Sequence, residues 1–209
     1  MSRDPAPSVY TRQSLLERLK DWDDSASWRD FFETYWKLIF SVARRAGLNE
    51  TEAEDVVQET IIAVARKMPA FHYDPAVGSF KGWLMRLTRW RITDHLRRKT
   101  YRVDGERKSR EQPIDGEWLE NQPDIAGVNL DELWESEWKN QLLEAAINRV
   151  REHADARQFQ IFHLHVCKGM PARDVAQRLE VKLPEVYFAK YKLSAAVKRE
   201  MKRLEKTML

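Results

Sequence analysis

Three acidic side chains are spaced so that they could share one helix face and hold a metal ion. Glu52, Asp55 and Glu59 stand at positions i, i+3 and i+7, which an α-helix brings to the same side. No histidine joins them, so a metal site is not favoured. A solvated helix face and a partner-binding patch both account for the same spacing.

The segment HLHVC places two histidines and the single cysteine at steps of two residues. His163, His165 and Cys167 would converge on a strand, but the surrounding sequence is typical of a helix. On a helix, successive members lie ~200° apart, so they cannot form one site, and we expect Cys167 to be a small buried residue. The five histidines are scattered, and we predict no catalytic centre, no metal site and no cofactor.

The stretch GSFKGWLMRLTRWRITDHLRRK, residues 78–99, mixes two tryptophans with many cations and one acid. On a helix, Phe80, Trp83, Leu84 and Leu87 fall within one apolar arc, the expected core face. We predict that this helix begins at Ser79, whose side chain can cap it.

A second stripe of the same helix is aromatic and cationic. Indole and guanidinium planes stack on nucleic-acid bases, and arginine also neutralises phosphate. Two interpretations stay open for each tryptophan: a core role or a mixed role for Trp83, and base contact or a cation–π contact with an arginine for Trp90. The stripe steps by three and four residues and consists of Trp83, Arg86, Trp90, Thr93 and Arg97.

The segment PARDVAQRLEVKLPEVYFAKYKL, residues 171–193, predicts two helices separated by a tight break. Two helices, a short turn and basic surroundings are typical of a helix-turn-helix, although ordinary helical hairpins share the spacing. The N-terminal part of the second helix would enter the major groove of DNA. Its predicted outward-facing residues are Lys182, Glu185, Phe188, Lys190, Tyr191 and Lys192.

Helical periodicity explains nearly all of the chain outside its middle, and no strand pattern is present, so the predicted fold class is all-α. Ser27 and either Asn49 or Thr51 are candidate N-caps of two further helices. The remaining helices are predicted over residues 14–22, 133–150, 156–167, 172–179 and 184–204.

Charge divides the chain into blocks. The segments Lys81–Arg110 and Lys168–Lys206 carry net charges of +8 and +6, and Glu111–Lys139 between them carries −8. Two basic segments around an acidic spacer favour two nucleic-acid contacts.

The predicted organisation is two helical domains, residues 10–100 and 131–209, joined by an acidic linker over 101–130. The linker is rich in proline and glycine, and Trp118 within it could dock on a domain. Because the chain ends soon after the last predicted helix, we expect no further large domain.

Composition argues against several classes of protein. No window approaches the ~20 apolar residues of a membrane span, and the N-terminus lacks the apolar segment of a signal peptide. A single cysteine forms no disulfide framework. We therefore predict a cytoplasmic protein without membrane insertion.

Taken in order, these motifs resemble the bacterial RNA polymerase sigma factors of the extracytoplasmic function (ECF) class. EDVVQET, residues 54–60, is similar to their region 2.2, and residues 78–98 are similar to regions 2.3 and 2.4. Residues 171–192 resemble the region 4.2 helix-turn-helix. The resemblance covers about Ser14–Arg98 and Leu142–Leu204.

The chain departs from the family pattern at three positions. Many members have Asn at the position of Trp90, and Gly then Ser are frequent at those of Glu180 and Lys182. A left-handed Glu180 would cost ~1 kcal/mol, and loss of a Ser cap at Lys182 also costs ~1 kcal/mol.

The resemblance implies a fold with a region 2 helical bundle and a region 4 helix-turn-helix. It also implies binding to core RNA polymerase, through the β′ clamp and the β flap, and to promoter DNA. An anti-sigma factor is a further candidate partner, and the linker would run through the RNA exit channel. The loop FHYDPAVGS and the start of the helix after it would capture a base flipped from the stack.

Site residues follow from the same resemblance. The β′ clamp would be bound by Asp55, Gln58 and Glu59. The minus-ten element would be read and melted by Phe71, Ser79, Phe80, Lys81, Trp83, Arg86, Arg89, Trp90, Arg97 and Arg98. The minus-thirty-five element would be read by Arg173, Lys182, Glu185, Phe188, Lys190, Tyr191 and Lys192.

Two other hypotheses remain beside an initiation factor. A stand-alone helix-turn-helix regulator would bind DNA without polymerase and would have no use for the patch of Asp55, Gln58 and Glu59. A helical metal-dependent phosphohydrolase would need a cluster of histidine and aspartate on facing helices, and the sequence contains no HD pair.

Overall fold

A computed structural model describes residues 13–72, 79–103 and 129–207 of the chain. All regular structure in these ranges is helical and none of it is strand, which confirms the all-α fold class. Most of the predicted linker, including Trp118, lies outside the described residues, as do residues 73–78 of the predicted base-capturing loop. None of the described helices combines the length and hydropathy that a membrane span requires.

Eight α-helices are described, together with two short segments of other helical types. The short segments are a 3-10 turn, Met68–Ala70, and a π-helical segment, His163–Cys167. The α-helices are α1 Gln13–Arg18, α2 Ser25–Arg45, α3 Glu50–Lys67, α4 Phe80–Val103, α5 Leu130–His153, α6 Ala156–Phe162, α7 Ala172–Leu179 and α8 Leu183–Thr207.

Contacts between residues divide the chain into two units, Met1–Lys139 with the last three residues, and Asn140–Lys206. The division falls inside α5, whereas the sequence predicted a domain start at residue 131. The early turns of α5 belong to the first unit because Leu130, Trp134 and Trp138 are buried there. The assignment of the two units to regions 2 and 4 stays a prediction.

Apolar faces of α2, α3 and α4 form the core of the first unit. The aromatic part of this core is built on Phe31, whose ring lies 5.0 Å from Tyr35 and 6.0 Å from Phe80, centroid to centroid. Aliphatic side chains complete it at helical spacing, as the sequence predicted. Those that are buried include Leu38, Ile39, Val42, Val56, Val57, Val64, Leu84 and Leu87.

The start of α2 differs from the prediction that Ser27 is its N-cap. The cap is Asp24, whose carboxylate accepts hydrogen bonds from the backbone N and the Oγ of Ser27 at 3.0 and 2.8 Å. Hydrogen bonds from Arg18 and Ser27 hold the pKa of Asp24 far below its usual range. Ser27 is thus a buried supporting residue of the first turn.

The start of α3 resolves the alternatives that the sequence left open. Asn49 is the cap, since its side chain accepts from the backbone N of Glu52 at 2.9 Å. Glu52 accepts in return from the backbone N of Asn49 at 2.8 Å, which completes a capping box. That backbone hydrogen bond lowers the pKa of Glu52, and Lys99 nearby acts in the same direction.

The second unit contains the two helices and the tight break between them that the sequence predicted. Helix α7 has the bounds that the sequence predicted. It packs on a hydrophobic core that consists of Ile161, Val175, Val186 and Ala189. Glu180 ends α7 in the left-handed conformation at φ 51°, which confirms the expectation for this position.

The turn compensates for the missing serine cap at Lys182. The backbone N of Lys182 donates to Glu185 Oε1 at 3.0 Å, so the glutamate satisfies one end of α8 from inside the helix. The departure from the family pattern at Lys182 is therefore partly offset by Glu185.

The prediction that Cys167 is buried is wrong. Cys167 is exposed, as the last residue of the π-helical segment that follows α6. The chain turns at Gly169, with φ 69°, and this leaves the thiol at the solvent side of the helix end. Partial burial still raises the pKa of the thiol.

Candidate nucleic-acid interface

An aromatic cluster lies where α4 begins. The ring of Trp83 is 4.8 Å from that of Phe71 and 5.3 Å from that of Phe80, centroid to centroid. Ser79 caps the helix as predicted, accepting from the backbone N of Gly82 at 3.1 Å. Phe71 and Trp83 are half-buried and Ser79 is exposed, so this end of α4 offers partly open aromatic rings.

Phe80 lies underneath that cluster with no exposed surface. A direct contact between Phe80 and DNA, as the resemblance implied, is incompatible with this complete burial. Its ring instead packs on Phe31, Tyr35, Phe71 and Trp83. Phe80 therefore supports the two open rings from the core side.

The Trp90 ring is stacked by its neighbour in sequence. The guanidinium carbon of Arg91 lies 4.3 Å from the ring centroid, a cation–π arrangement. Arg91 also pairs with Glu59 of α3 at 3.2 Å. Burial lowers the pKa of Arg91, and the negative charge of Glu59 acts in the opposite direction. Trp90 itself is half-buried, so part of the indole remains open.

Acidic side chains from α5 neutralise two of the predicted DNA-binding cations. Lys81 Nζ lies 2.6 Å from Glu135 Oε1 and 4.9 Å from the ring centroid of Trp138. Arg89 reaches Asp131 at 3.3 Å. These pairs hold the side chains of Lys81 and Arg89 against α5.

The other predicted cations of α4 vary in exposure. Arg98 is exposed and pairs with Asp94 at 2.7 Å along the same helix, while Arg86 and Arg97 are half-buried. Thr93, which belongs to the predicted aromatic and cationic stripe, is buried. The stripe is thus partly covered along its length and is not a fully open face.

The acidic patch of α3 contains two kinds of residue. Asp55 and Gln58 are exposed, whereas Glu59 is half-buried and tied to Arg91 and, at 3.4 Å, to His95. Ile62 is half exposed one turn beyond Gln58, and the sequence reasoning missed it. Its signal was an apolar residue on an otherwise polar side of the helix. Among the described residues, no group of three His, Cys, Asp or Glu side chains is placed to hold a metal ion.

The outward face of α8 carries most of the residues predicted for the minus-thirty-five element. All seven are exposed, but two are engaged within the unit: Glu185 caps the helix, and Lys192 Nζ donates to Gln158 Oε1 at 2.9 Å. Tyr187, absent from the predicted set, is also exposed, and its signal was its position one turn before Tyr191. The predicted residues are Arg173, Lys182, Glu185, Phe188, Lys190, Tyr191 and Lys192.

Comparison with known proteins bears on the first of these surfaces. Residues 31–102 match the sigma-70 region 2 family. This part of the chain is similar to sigma-70 region 2 domains. It contains α3, the Glu59–Arg91 pair, the aromatic cluster and Trp90, whereas Asp131 and Glu135 lie beyond the matched residues.

A curated relative extends this finding. The ECF RNA polymerase sigma factor SigE of Mycolicibacterium smegmatis is 36% identical to the chain over 89 residues, which is 43% of this chain. The chain spans about a third of that relative's length, since the match covers 33% of it. The sigma-70 region 2 match and this relative together confirm the resemblance to ECF sigma factors.

Proposed function

We propose that the protein is a sigma factor, which binds core RNA polymerase and directs it to specific promoters. One observation carries the proposal: a match to the sigma-70 region 2 family and two helices joined by a short turn, the arrangement of a helix-turn-helix, occur in the same chain. The first supplies surfaces for polymerase and for melted DNA, and the second supplies a surface for duplex DNA. This role requires neither catalysis nor a cofactor of the chain itself, and it places the protein in the cytoplasm.

The polymerase contact is proposed for the exposed side of α3. Asp55 and Gln58 are open to a partner, and Ile62 adds apolar surface beside them. A polar patch with an apolar member is typical of protein interfaces. We assign the β′ clamp to this side, with Glu59 contributing through the position in which Arg91 holds it, and we assign the β flap to the second unit. An anti-sigma factor would compete for these surfaces.

The minus-ten contact is proposed for α4 and the residues just before it. Different side chains of this region have different roles: Phe71, Trp83 and Trp90 have open ring surface for stacking on unpaired bases. The cations bind phosphate, which makes the contact sensitive to salt. They are Lys81, Arg86, Arg89, Arg97 and Arg98, with Ser79 at the helix start and Phe80 as a support.

DNA must replace internal partners to use some of these cations. Lys81 and Arg89 are paired with Glu135 and Asp131 in the free chain. Pairs of this exposure are each worth ~0–1 kcal/mol, so a phosphate can displace the carboxylate at small cost. The proposal therefore includes an exchange of ion pairs on promoter binding.

The alternative is a regulator that binds an operator without polymerase. The helix-turn-helix alone is compatible with it, but a region 2 domain with an exposed polar and apolar face on α3 is not explained by it. Polymerase binding therefore separates the two functions.

The test is co-purification of the full chain with core RNA polymerase. Asp55→Lys is the informative variant because Asp55 is exposed, whereas reversal of Glu59 would also break the pair with Arg91. Glu33→Lys on α2, which is also exposed and makes the same charge change, is the matched control. We expect Asp55→Lys to lose the complex and Glu33→Lys to keep it. Tight, sequence-specific DNA binding by a chain that never binds polymerase would sink the proposal in favour of the alternative.

A further inference from the structure

Three aromatic side chains stand exposed on the first turns of α8. The exposed fractions are 53% for Tyr187, 57% for Phe188 and 79% for Tyr191. Positions i, i+1 and i+4 of a helix lie within an arc of about 100°, so the three rings share one face. The buried residues Val186 and Ala189 fix the opposite side of the same turns in the core.

Polar side chains around this face are largely engaged elsewhere. Glu185 accepts from the backbone N of Lys182, and Lys192 donates to Gln158. Lys192 Nζ also lies 5.8 Å from the ring centroid of Phe188. The side chains that commonly make bidentate hydrogen bonds to base edges are Arg, Lys, Asn and Gln, and of these the first three turns of α8 contain only Lys190 and Lys192. The face is thus apolar, with lysines at its edges.

The charge of the unit identifies the kind of partner. Lys168–Lys206 contains 11 Lys or Arg and 5 Asp or Glu, a net charge of +6. An apolar face on a cationic unit suits the major groove, where phosphates flank the base edges. The apolar group in that groove is the C5-methyl of thymine, which distinguishes it from every other base.

We propose that α8 reads thymine through its C5-methyl group, with Tyr187, Phe188 and Tyr191 as the contacting residues. The inference rests on the proposed function, because it assumes that α8 binds the upstream promoter element. It adds the specificity: the element contains thymines on the strand or strands facing this helix, and methyl contacts discriminate them. His165, whose ring packs edge-on against Tyr187 at 6.3 Å between centroids, holds one ring of the face in place.

The test replaces thymine by uracil, which removes the methyl group and leaves base pairing unchanged. The probe is a promoter fragment from which core polymerase with this protein initiates, synthesised with thymine or with uracil in its upstream half. Binding of the polymerase complex to both duplexes is measured by competition. We expect uracil to weaken binding about fourfold for each thymine methyl that packs on the aromatic face, as burial of a methyl-sized group predicts.

Two variants show whether the aromatic face is responsible. Phe188→Ala with Tyr191→Ala should bind the thymine duplex more weakly and lose the preference over uracil. Lys190→Ala, an exposed cation on the same helix, should weaken both duplexes equally and keep the preference. Because all three side chains are exposed, thermal unfolding should change little, and this is checked on each variant.

The outcomes separate the inference from the function on which it rests. Equal binding of the thymine and uracil duplexes by the unaltered protein overturns the inference alone. So does a double variant that keeps the preference, or that loses polymerase binding instead, since the face would then be a protein contact. Absence of any promoter complex overturns the proposed function, and the inference with it.

Discussion

The two candidate DNA surfaces of this chain are built on opposite principles. On α4 the cations Lys81, Arg89 and Arg91 are half-buried and paired with acids, and the open aromatic surface is partial. On α8 the aromatic side chains are the exposed element, with Tyr191 at 79%. The cations of α4 stay paired with acids until DNA competes for them, whereas the aromatic side chains of α8 are already exposed in the free chain.

The difference follows from what each surface is proposed to bind. Unpaired bases must be stabilised after melting, which favours ring surface held by a rigid support such as Phe80. Duplex DNA is read without melting, so a preformed helix face suffices. The ion pairs also give the half-buried cations of α4 a partner in the free chain. Without a partner, these cations would lower the stability of the fold.

The largest predicted effect concerns the early turns of α5, which carry Asp131 and Glu135. If they detach from the first unit, Arg89 and Lys81 lose these acidic partners. Trp134 is 1% exposed in the first unit, so Trp134→Ala should lower the free energy of unfolding by ~3–5 kcal/mol. All eight tryptophans precede the second unit, and thermal unfolding followed by tryptophan fluorescence therefore reports the first unit alone. Trp22→Ala, at a site 59% exposed, is the control and should change stability by less than about 0.5 kcal/mol. A small effect of Trp134→Ala would show that α5 does not anchor there.

The role of Trp90 sharpens the comparison next. If its open surface stacks on a base, Trp90→Ala should reduce promoter opening by about fivefold or more, since stacking is worth ~1–3 kcal/mol. Removal of the cation–π partner of Arg91 should cost folding less, ~0.5–1 kcal/mol. Opening is followed by permanganate reactivity of thymines, and folding by thermal unfolding. A large drop in melting temperature with normal opening per folded molecule would make Trp90 a core residue.

Removal of the acids on α5 that compete with DNA should strengthen DNA binding. Asp131→Asn with Glu135→Gln frees Arg89 and Lys81 from these partners, so affinity for DNA should rise a few-fold, given ~0–1 kcal/mol for each pair. The gain should shrink at high salt, where exposed pairs are screened. Glu132→Gln with Glu144→Gln removes the same charge from exposed sites on α5 and is the matched control. An equal gain in the control would reduce the effect to net charge.

The smallest predicted effect is the loss of first-unit stability in acid, which involves Asp24, the cap of α2. The pKa of Asp24 is depressed in the folded chain, so its contribution to stability is complete above about pH 4 and is lost as the pH falls towards the folded pKa. Asp24→Asn should therefore flatten part of the loss of first-unit stability below about pH 4. Thermal unfolding followed by tryptophan fluorescence at a series of pH values measures this loss. If Asp24→Asn leaves the dependence of stability on pH unchanged, Asp24 is not the group responsible.

Local sequence predicted the features that depend on neighbouring residues. Ser79 caps α4, Asn49 is the cap among the two candidates for α3, and α7 has its predicted bounds. Each depends on positions within a few residues, which periodicity and capping rules describe.

Features set by distant partners were not predictable in the same way. The pair of Arg89 with Asp131 joins residues 42 positions apart, and nothing in either segment specifies the other. The burial of the early turns of α5 in the first unit likewise depends on packing between distant segments. Asp24 as the cap of α2 is a local feature that the sequence analysis missed. The candidate site was found as a set of residues, but its division into occupied and exposed groups came only from the structure.

The most direct test of the proposed function is run-off transcription with core RNA polymerase on genomic fragments, with and without this protein. We expect discrete transcripts from specific start sites only when the protein is present, and disappearance of these transcripts with Asp55→Lys. Failure to stimulate any promoter, under conditions where the protein binds core polymerase, would contradict a role as a sigma factor.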